Sequence, residues 1–307
     1  MRALALALIV SAGIMSSAPQ PHPSVPVVLA VFGSHGSADG SFLGPFGVAL
    51  GGPNEIVVVD DLSHRISIFD ARGAFVRKFG RPGSAPGELS FPDAAWVDAA
   101  SDRVYIADTG NNRIQVWDRS GKFLRAFGRN LIGSSLSNPR DVLLTPEGEV
   151  FVADFGNGRI RVYDADGSHR RDISGRGTAG ALSGPIQLAR STAGDLYVSD
   201  ASRHVVVVFS ADGSFRRLIG APGQALGELR APHGIAFGPN GLLFVADYGN
   251  DRLQVFGPDG QAEAAIGRSG NQPGELRQPT DVAIAADGRV WVVDKGNHRI
   301  QVWEPLR

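Results

Sequence analysis

Residues 92–128 read PDAAWVDAASDRVYIADTGNNRIQVWDRSGKFLRAFG. This stretch holds four short segments rich in β-branched and aromatic residues, at 94–97, 104–107, 113–117 and 123–127. Turn-forming residues separate the segments, and side chains within them alternate between two faces, as they do along a β-strand. The stretch therefore predicts a four-stranded antiparallel sheet joined by tight turns.

The same unit recurs six times along the chain. A proline opens each unit, at intervals of 46 or 47 residues: Pro45, Pro92, Pro139, Pro185, Pro232 and Pro279. An aspartate ends the second segment of each unit at nearly the same spacing: Asp60, Asp108, Asp154, Asp200, Asp247 and Asp294. Four strands in a period of about 47 residues is the pattern of a propeller blade. The predicted fold class is all-β, a six-bladed β-propeller of four-stranded antiparallel blades.

The sixth unit lacks a fourth strand, because the sequence stops at Arg307. The segment 27–33, VVLAVFG, ends like an outer strand and precedes the equivalent end of the first unit, at Gly80, by 47 residues. We therefore expect this N-terminal strand to pair with residues 299–303 and close the ring, which leaves no unpaired edge within it.

Composition narrows the classes of function. The 307 residues are 43% hydrophobic and 20% charged, with a formal net charge of −1. This balance lacks the basic excess that phosphate binding requires, so nucleic acid is not expected as a partner. The absence of cysteine excludes disulfides, thiol catalysis and zinc sites built on sulfur.

The first residues have the features of an export signal. Arg2 precedes an apolar run and then small residues that end at Ala18, and the run is too short to cross a bilayer as an anchor. The predicted organisation is a signal peptide at 1–18, a linker at 19–26 and the propeller at 27–307. We expect a secreted or periplasmic protein with no membrane span in the mature chain.

One unit carries an almost complete family pattern. Residues 232–236 read PHGIA and residues 244–256 read FVADYGNDRLQVF. These residues resemble NHL repeats, and the resemblance covers nearly all of 27–307. It implies a propeller, here of an exported bacterial type. It leaves the function open, because the family includes RNA binders, protein-interaction modules, receptor sensor domains and a few lyases.

The repeated acidic and basic residues are interpreted as structural, because a catalytic site would be asymmetric. Each aspartate is expected to cap the loop that follows it, and an arginine five residues on to neutralise the carboxylate. Blade four departs from this pattern, with Val205 at the arginine position and Arg203 where most units have asparagine. The basic members of the set are Arg65, Arg113, Arg159, Arg252 and Arg299.

Histidines raise one enzymatic alternative. The chain resembles the peptidyl-hydroxyglycine amidating lyases, which hold zinc with three histidines. His64 and His233 occupy two of the corresponding positions, but Arg140 occupies the third, where a cation repels a metal. We therefore predict no metal, no cofactor and no catalytic residue. A lyase or hydrolase with its site at the channel mouth remains the alternative.

Binding is expected on the face where the long loops gather, because binding residues favour loops on a rigid scaffold. The positions after each opening proline differ between blades, unlike the repeated aspartates, and they are expected to line the channel mouth there: Phe46, Asp93, Arg140, Ile186, His233 and Thr280. The predicted binding residues are Asp93, Arg140, His233 and Asp281. The leading prediction is a monomeric, non-catalytic recognition or scaffold module for a protein, peptide or glycan.

Overall fold

The computed structural model describes residues 26–52, 54–129 and 135–306. Six four-stranded antiparallel sheets form the blades of a β-propeller, and no α-helix occurs in these residues. The predicted signal peptide and most of the predicted linker lie outside the described residues. No helix in the described part is long and apolar enough to span a membrane.

Each blade runs outward from the central channel through strands a, b, c and d. The a strands are β2 (Pro45–Leu50), β6 (Ala95–Asp98), β10 (Pro139–Leu144), β14 (Pro185–Arg190), β20 (Pro232–Phe237) and β24 (Pro279–Ile284). The b strands are β3 (Ile56–Asp60), β7 (Arg103–Asp108), β11 (Val150–Asp154), β15 (Leu196–Asp200), β21 (Leu243–Asp247) and β25 (Val290–Asp294).

The outer half of each blade follows the same order. The c strands are β4 (Arg65–Phe69), β8 (Arg113–Asp118), β12 (Arg159–Tyr163), β16 (Val205–Phe209), β22 (Arg252–Phe256) and β26 (Arg299–Trp303). The d strands are β5 (Phe75–Phe79), β9 (Phe123–Phe127), β13 (His169–Ile173), β17 (Phe215–Ile219), β23 (Ala262–Ile266) and, for blade six, β1 (Val28–Phe32). A short parallel pair, β18 (Ala221–Pro222) with β19 (Glu228–Leu229), lies between blades four and five.

The N-terminal strand closes the ring as the sequence predicts. β1 pairs antiparallel with β26, with Val28 opposite Trp303 and Phe32 opposite Ile300. The Glu304 N–H also donates to the Val27 carbonyl at 2.9 Å. Blade six is therefore built from both ends of the described chain.

The apolar core is divided among the interfaces between blades. Between blades one and two, for example, Val59, Ile66, Ile106 and Trp117 pack in one buried cluster with Leu89. Corresponding clusters fill the other five interfaces. Strands b and c are buried on both faces because each blade lies between two others.

The two ends of the propeller differ in their connections. The end with the b–c loops and the long d–a segments is called the loop face, and the end with the a–b and c–d hairpins is called the turn face. Five of the six a strands carry an irregularity in register just after the opening proline, for example between Pro139 and Asp141. Such a bulge turns a side chain away from the regular sheet. It places the variable second residue of these strands near the channel.

Candidate functional site

The repeated aspartate holds the segment before its blade. The Asp108 carboxylate is buried and accepts the Ser90 N–H at 2.7 Å, the Arg113 Nε–H at 2.7 Å and the Gln115 amide at 2.8 Å. Contrary to the expectation, Asp108 caps no backbone N–H of the b–c loop that follows it, although Asp200 in blade four does accept the Arg203 N–H of that loop. The d–a segment and the b–c loop meet on the same face. The backbone N–H that the aspartate accepts belongs to the d–a segment, just before strand a begins.

In blades one, two, five and six, the arginine of the set also holds that segment. The Arg113 guanidinium donates to the carbonyls of Ser84, Ala85 and Glu88 at 2.7–3.0 Å while its Nε–H bonds Asp108. In blade four, Val205 cannot do this, and the Arg203 guanidinium donates instead to the Ala181 and Ala179 carbonyls at 2.8 and 2.9 Å. Blade four thus anchors its segment from a different sequence position.

Sequence reasoning missed an interblade contact on the loop face. The last residue of each b–c loop is left-handed, and in four blades its side chain accepts the N–H of the residue before the next opening proline. The pairs are His64 with Phe91, Asn112 with Asn138, His204 with Ala231, and Asp251 with Gln278, at 2.7–2.9 Å. The signal in the sequence is a side-chain acceptor four residues after the blade aspartate. This hydrogen bond accounts for the positions of His64 and His204 without a role in metal binding.

Arg140 lies at the channel mouth on the loop face. Its guanidinium forms an ion pair with Asp93 through Nη1 and lies over the Phe155 ring, 5.0 Å from the centroid. Its side chain is 28% exposed, whereas Asp93 is 3% exposed. Burial raises the pKa of Asp93 to about 6, and Arg140 opposes this rise. Arg140 therefore reaches solvent, and Asp93 supports it from below.

His233 stacks on Tyr248, with ring centroids 4.3 Å apart. Its Nδ1 lies 2.9 Å from the Ala231 carbonyl, and because a carbonyl only accepts, Nδ1 carries the hydrogen. Burial lowers the pKa of His233 to about 4. His233 is therefore a neutral, half-buried ring at the mouth, suited to stacking and not to holding positive charge.

A third contact completes the mouth. The Lys295 ammonium lies 4.3 Å from the centroid of the Phe46 ring and 2.9 Å from the Asp61 carboxylate. Phe46 also faces His233 at 6.0 Å between ring centroids. We call the six side chains of these contacts the mouth collar: Phe46, Arg140, Phe155, His233, Tyr248 and Lys295.

Below the collar the channel is nearly closed. The cavity between the second and third residues of the a strands has a volume of only about 10 Å³. Asp281 is buried there and accepts the Val48 N–H at 2.8 Å and the Gln187 amide at 2.7 Å. Burial raises the pKa of Asp281 to about 7, although these donors oppose the rise. Asp281 and Asp93 thus lie beneath the collar, and Arg140 and His233 form part of it.

The main volume of the channel opens at the other end. A cavity of about 890 Å³ lies among the last residues of the a strands and the a–b hairpins, on the turn face. The sequence predicts the channel mouth on the loop face, and it does not reveal this wider opening. The width depends on side chains from six strands that only the folded ring brings together.

The histidines of the lyase pattern do not form a metal centre in the described residues. No three His, Cys, Asp or Glu side chains there are close enough to hold an ion. His64 is engaged with Phe91, and Arg140, at the third ligand position, is paired with Asp93.

We expect the neutral state of His233 to make stability depend on pH. The unfolded chain binds a proton near pH 6.5, so the contribution of His233 to stability is lost as the pH falls from about 6.5 towards 4. In His233→Asn, the amide can still donate to Ala231. Between pH 7 and 5, wild type should lose about 1–2 kcal/mol of unfolding free energy relative to this variant, measured by urea denaturation. Equal losses in both proteins would contradict the assignment.

Known proteins share both the repeat and the ring. The family model described as NHL repeat matches residues 136–163, 229–256 and 276–303, and a model described as a 6-bladed beta-propeller matches residues 51–131. The chain is an NHL-repeat β-propeller. The NHL matches cover strands a, b and c of blades three, five and six, and the 6-bladed beta-propeller match runs from β3 to β9.

Two curated relatives share part of this NHL propeller. Protein brain tumor of Drosophila melanogaster is 41% identical over 66 residues, which is 22% of this chain and 6% of that protein. RING finger protein nhl-1 of Caenorhabditis elegans is 35% identical over 78 residues, 25% of this chain and 8% of that protein. The NHL propeller therefore matches only a small part of either relative.

Solved structures resemble the whole ring. A structural genomics protein from Bacteroides thetaiotaomicron has a TM-score of 0.69 at 16% identity, covering 90% of this chain and 76% of that one. A streptogramin B lyase has a TM-score of 0.64 at 16% identity, covering 89% and 96%. Virginiamycin B lyase from Staphylococcus aureus has a TM-score of 0.61 at 14% identity, covering 86% and 95%. At these identities the likeness shows the fold alone.

Proposed function

We propose that this NHL propeller is an exported, monomeric, non-catalytic recognition module that binds a protein or peptide through its loop face. The observation that carries the proposal is the mouth collar. Its aromatic and cationic side chains come from different blades and are not repeated around the ring. Tyrosine and arginine on a rigid surface are the residues that most often dominate protein interfaces.

Arg140 is the anchor we propose for a carboxylate of the partner. Nη1 holds Asp93, and the side chain keeps 28% of its surface exposed above the Phe155 ring. A planar guanidinium can bind two carboxylates at different edges, so a partner side chain or C-terminus can bind Arg140 without displacing Asp93. Lys295 on Phe46 offers a second cation beside it.

A lyase function receives less support from the collar. The neutral His233 ring stacks on Tyr248, and the guanidinium of Arg140 occupies the position of the third zinc ligand. The lyases among the similar structures share 14–16% identity with this chain, which carries no argument about chemistry.

Removing aromatic collar side chains should weaken partner binding. The double variant Phe155→Ala with Tyr248→Ala should lower the affinity at least about tenfold, because aromatic side chains dominate such contacts. Both rings are partly exposed, so we expect the structure to persist. The measurement is crosslinked capture of the partner from the exported fraction, followed by titration of the purified partner.

The matched control removes exposed apolar side chains elsewhere. Val76→Ala with Leu124→Ala, on the outer strands β5 and β9, should leave the affinity unchanged. Loss of binding in this control, with binding intact in the collar variant, would place the interface on the outer rim. Capture that survives protease but not glycosidase treatment of the fraction would identify a glycan partner instead.

A further inference from the structure

The turn-face cavity is large, apolar and separate from the mouth collar. Its walls include Val48, Leu144, Ile235 and Ile284, and its volume of about 890 Å³ lies within the range of small-molecule sites. The charged groups at its rim are engaged with each other or with hairpins. Arg190 bonds Glu147 at 2.8 Å, for example. The cavity can therefore bind the apolar part of a ligand at the turn-face end of the channel.

The inner end of this cavity holds a buried carboxyl group. Asp141 is 5% exposed and lines the cavity, and its Oδ2 accepts the Leu188 N–H at 2.9 Å. No Lys, Arg or His of the described residues forms an ion pair with it. Burial raises the pKa of Asp141 well above its ordinary value, and the nearby carboxylates Asp281 and Asp93 raise it further.

The charges around Asp141 are unbalanced. Asp93 and Asp281 line the constriction next to Asp141 and act on it electrostatically, and Arg140 is engaged with Asp93. Lys295 is engaged with Asp61 on the loop face, and Arg190, at the cavity rim, is engaged with Glu147. The inner end of the cavity is therefore deficient in positive charge, and a buried carboxylate is stabilised strongly by a cation placed beside it.

We propose that the turn-face cavity binds an amphiphilic amine, with its apolar body against the a-strand side chains and its ammonium group against Asp141. A fatty carboxylate of equal length finds no free cation beside Asp141 among the described residues and adds a further negative group to this acidic end of the cavity. An alcohol can share a hydrogen bond with Asp141 but supplies no charge. This site lies at the opposite end of the channel from the collar, and it does not depend on the proposed recognition function.

The probes are decylamine, decanol and decanoate, each titrated below its micelle concentration at pH 8. Trp96 lines the cavity, so its fluorescence reports entry, and calorimetry gives the affinity. Decylamine should bind at least about tenfold more tightly than decanol, because it adds an ion pair in a poorly solvated site. Its affinity should fall as the pH is lowered, because the raised pKa of Asp141 lets a proton compete with the ammonium group for the carboxylate.

Two variants make the test specific. Asp141→Asn keeps an acceptor for the Leu188 N–H but removes the charge, and it should lower decylamine affinity about tenfold while leaving decanol binding unchanged. Ala283→Phe fills part of the cavity and should weaken both ligands. Asp39→Asn, at an exposed carboxylate on the loop face, should alter neither.

Several results would overturn the proposal. These are the absence of decylamine binding, equal affinity for decylamine and decanol, tightest binding of decanoate, or unchanged decylamine affinity in Asp141→Asn. Binding that Ala283→Phe leaves unaffected would show that the amine associates with another surface. If the wild-type protein captures no partner but still binds decylamine, only the recognition function is rejected.

Discussion

A chain that begins at Ser34 should fail to form a stable propeller. It lacks β1, so blade six loses its outer strand and β26 is left with an unpaired edge. Phe32, which packs on Phe69 at 4.9 Å and near Trp291 at 6.3 Å between centroids, is lost as well. We expect a loss of more than about 5 kcal/mol, comparable to the whole stability of many domains, seen as aggregation or the absence of a cooperative urea transition.

The control is a chain that begins at Pro26, which keeps β1 and should unfold like the longer protein. A synthetic peptide of residues 26–33 should also restore a cooperative transition when added to the truncated chain, because it supplies the missing strand. An unfolding midpoint that is the same for the chains beginning at Pro26 and Ser34 would show that β1 does not hold the ring closed.

Asp108→Ala should be the most destabilising of the loop-face point variants. It leaves the Arg113 guanidinium and the Gln115 and Asn111 amides in a buried site without their shared acceptor. Removing one partner of a buried ion pair costs about 3–5 kcal/mol. The free energy of unfolding from urea denaturation measures the loss.

Blade four supplies the matched control. Asp200 accepts only backbone N–H groups, from Ser183, Gly184 and Arg203, because Val205 replaces the arginine. Asp200→Ala leaves one fully buried donor, the Gly184 N–H, without an acceptor, while the part-buried Ser183 and Arg203 N–H groups can bond water, so it should cost about 1–3 kcal/mol. The double variant Asp108→Ala with Arg113→Met should recover part of the loss. Equal costs at Asp108 and Asp200 would mean that the guanidinium contributes nothing to the effect.

The blades were predictable because their pattern is local and repeated. The strands expected at 113–117 and 123–127 lie at Arg113–Asp118 and Phe123–Phe127. Closure was predictable for the same reason, since residues 27–33 carry the ending of an outer strand without a preceding blade. Both inferences need only the spacing of residues and the alternation of a strand.

The site was less predictable because it depends on contacts between blades. The sequence places Asp93 and Arg140 at equivalent positions of neighbouring blades, but only the structure shows one buried and the other partly exposed. The loop held by Asp108 was assigned wrongly because the b–c loop and the d–a segment lie close on one face, whereas Asp200 does accept an N–H from the loop that follows it. The turn-face cavity depends on six strands at once, and no local pattern reports its volume.

The pairing of β1 with β26 also sets how the propeller can be attached to anything else. Val27 and Glu304 are hydrogen-bonded neighbours where the c–d hairpin of blade six would otherwise stand, on the side of the turn face. After Glu304 the chain stays on the turn face, because Pro305 lies against Gly288 of the a–b hairpin and Leu306 packs on the core between blades five and six. A membrane tether, a fused domain or an immobilising tag at either end presents the mouth collar outward, away from the point of attachment.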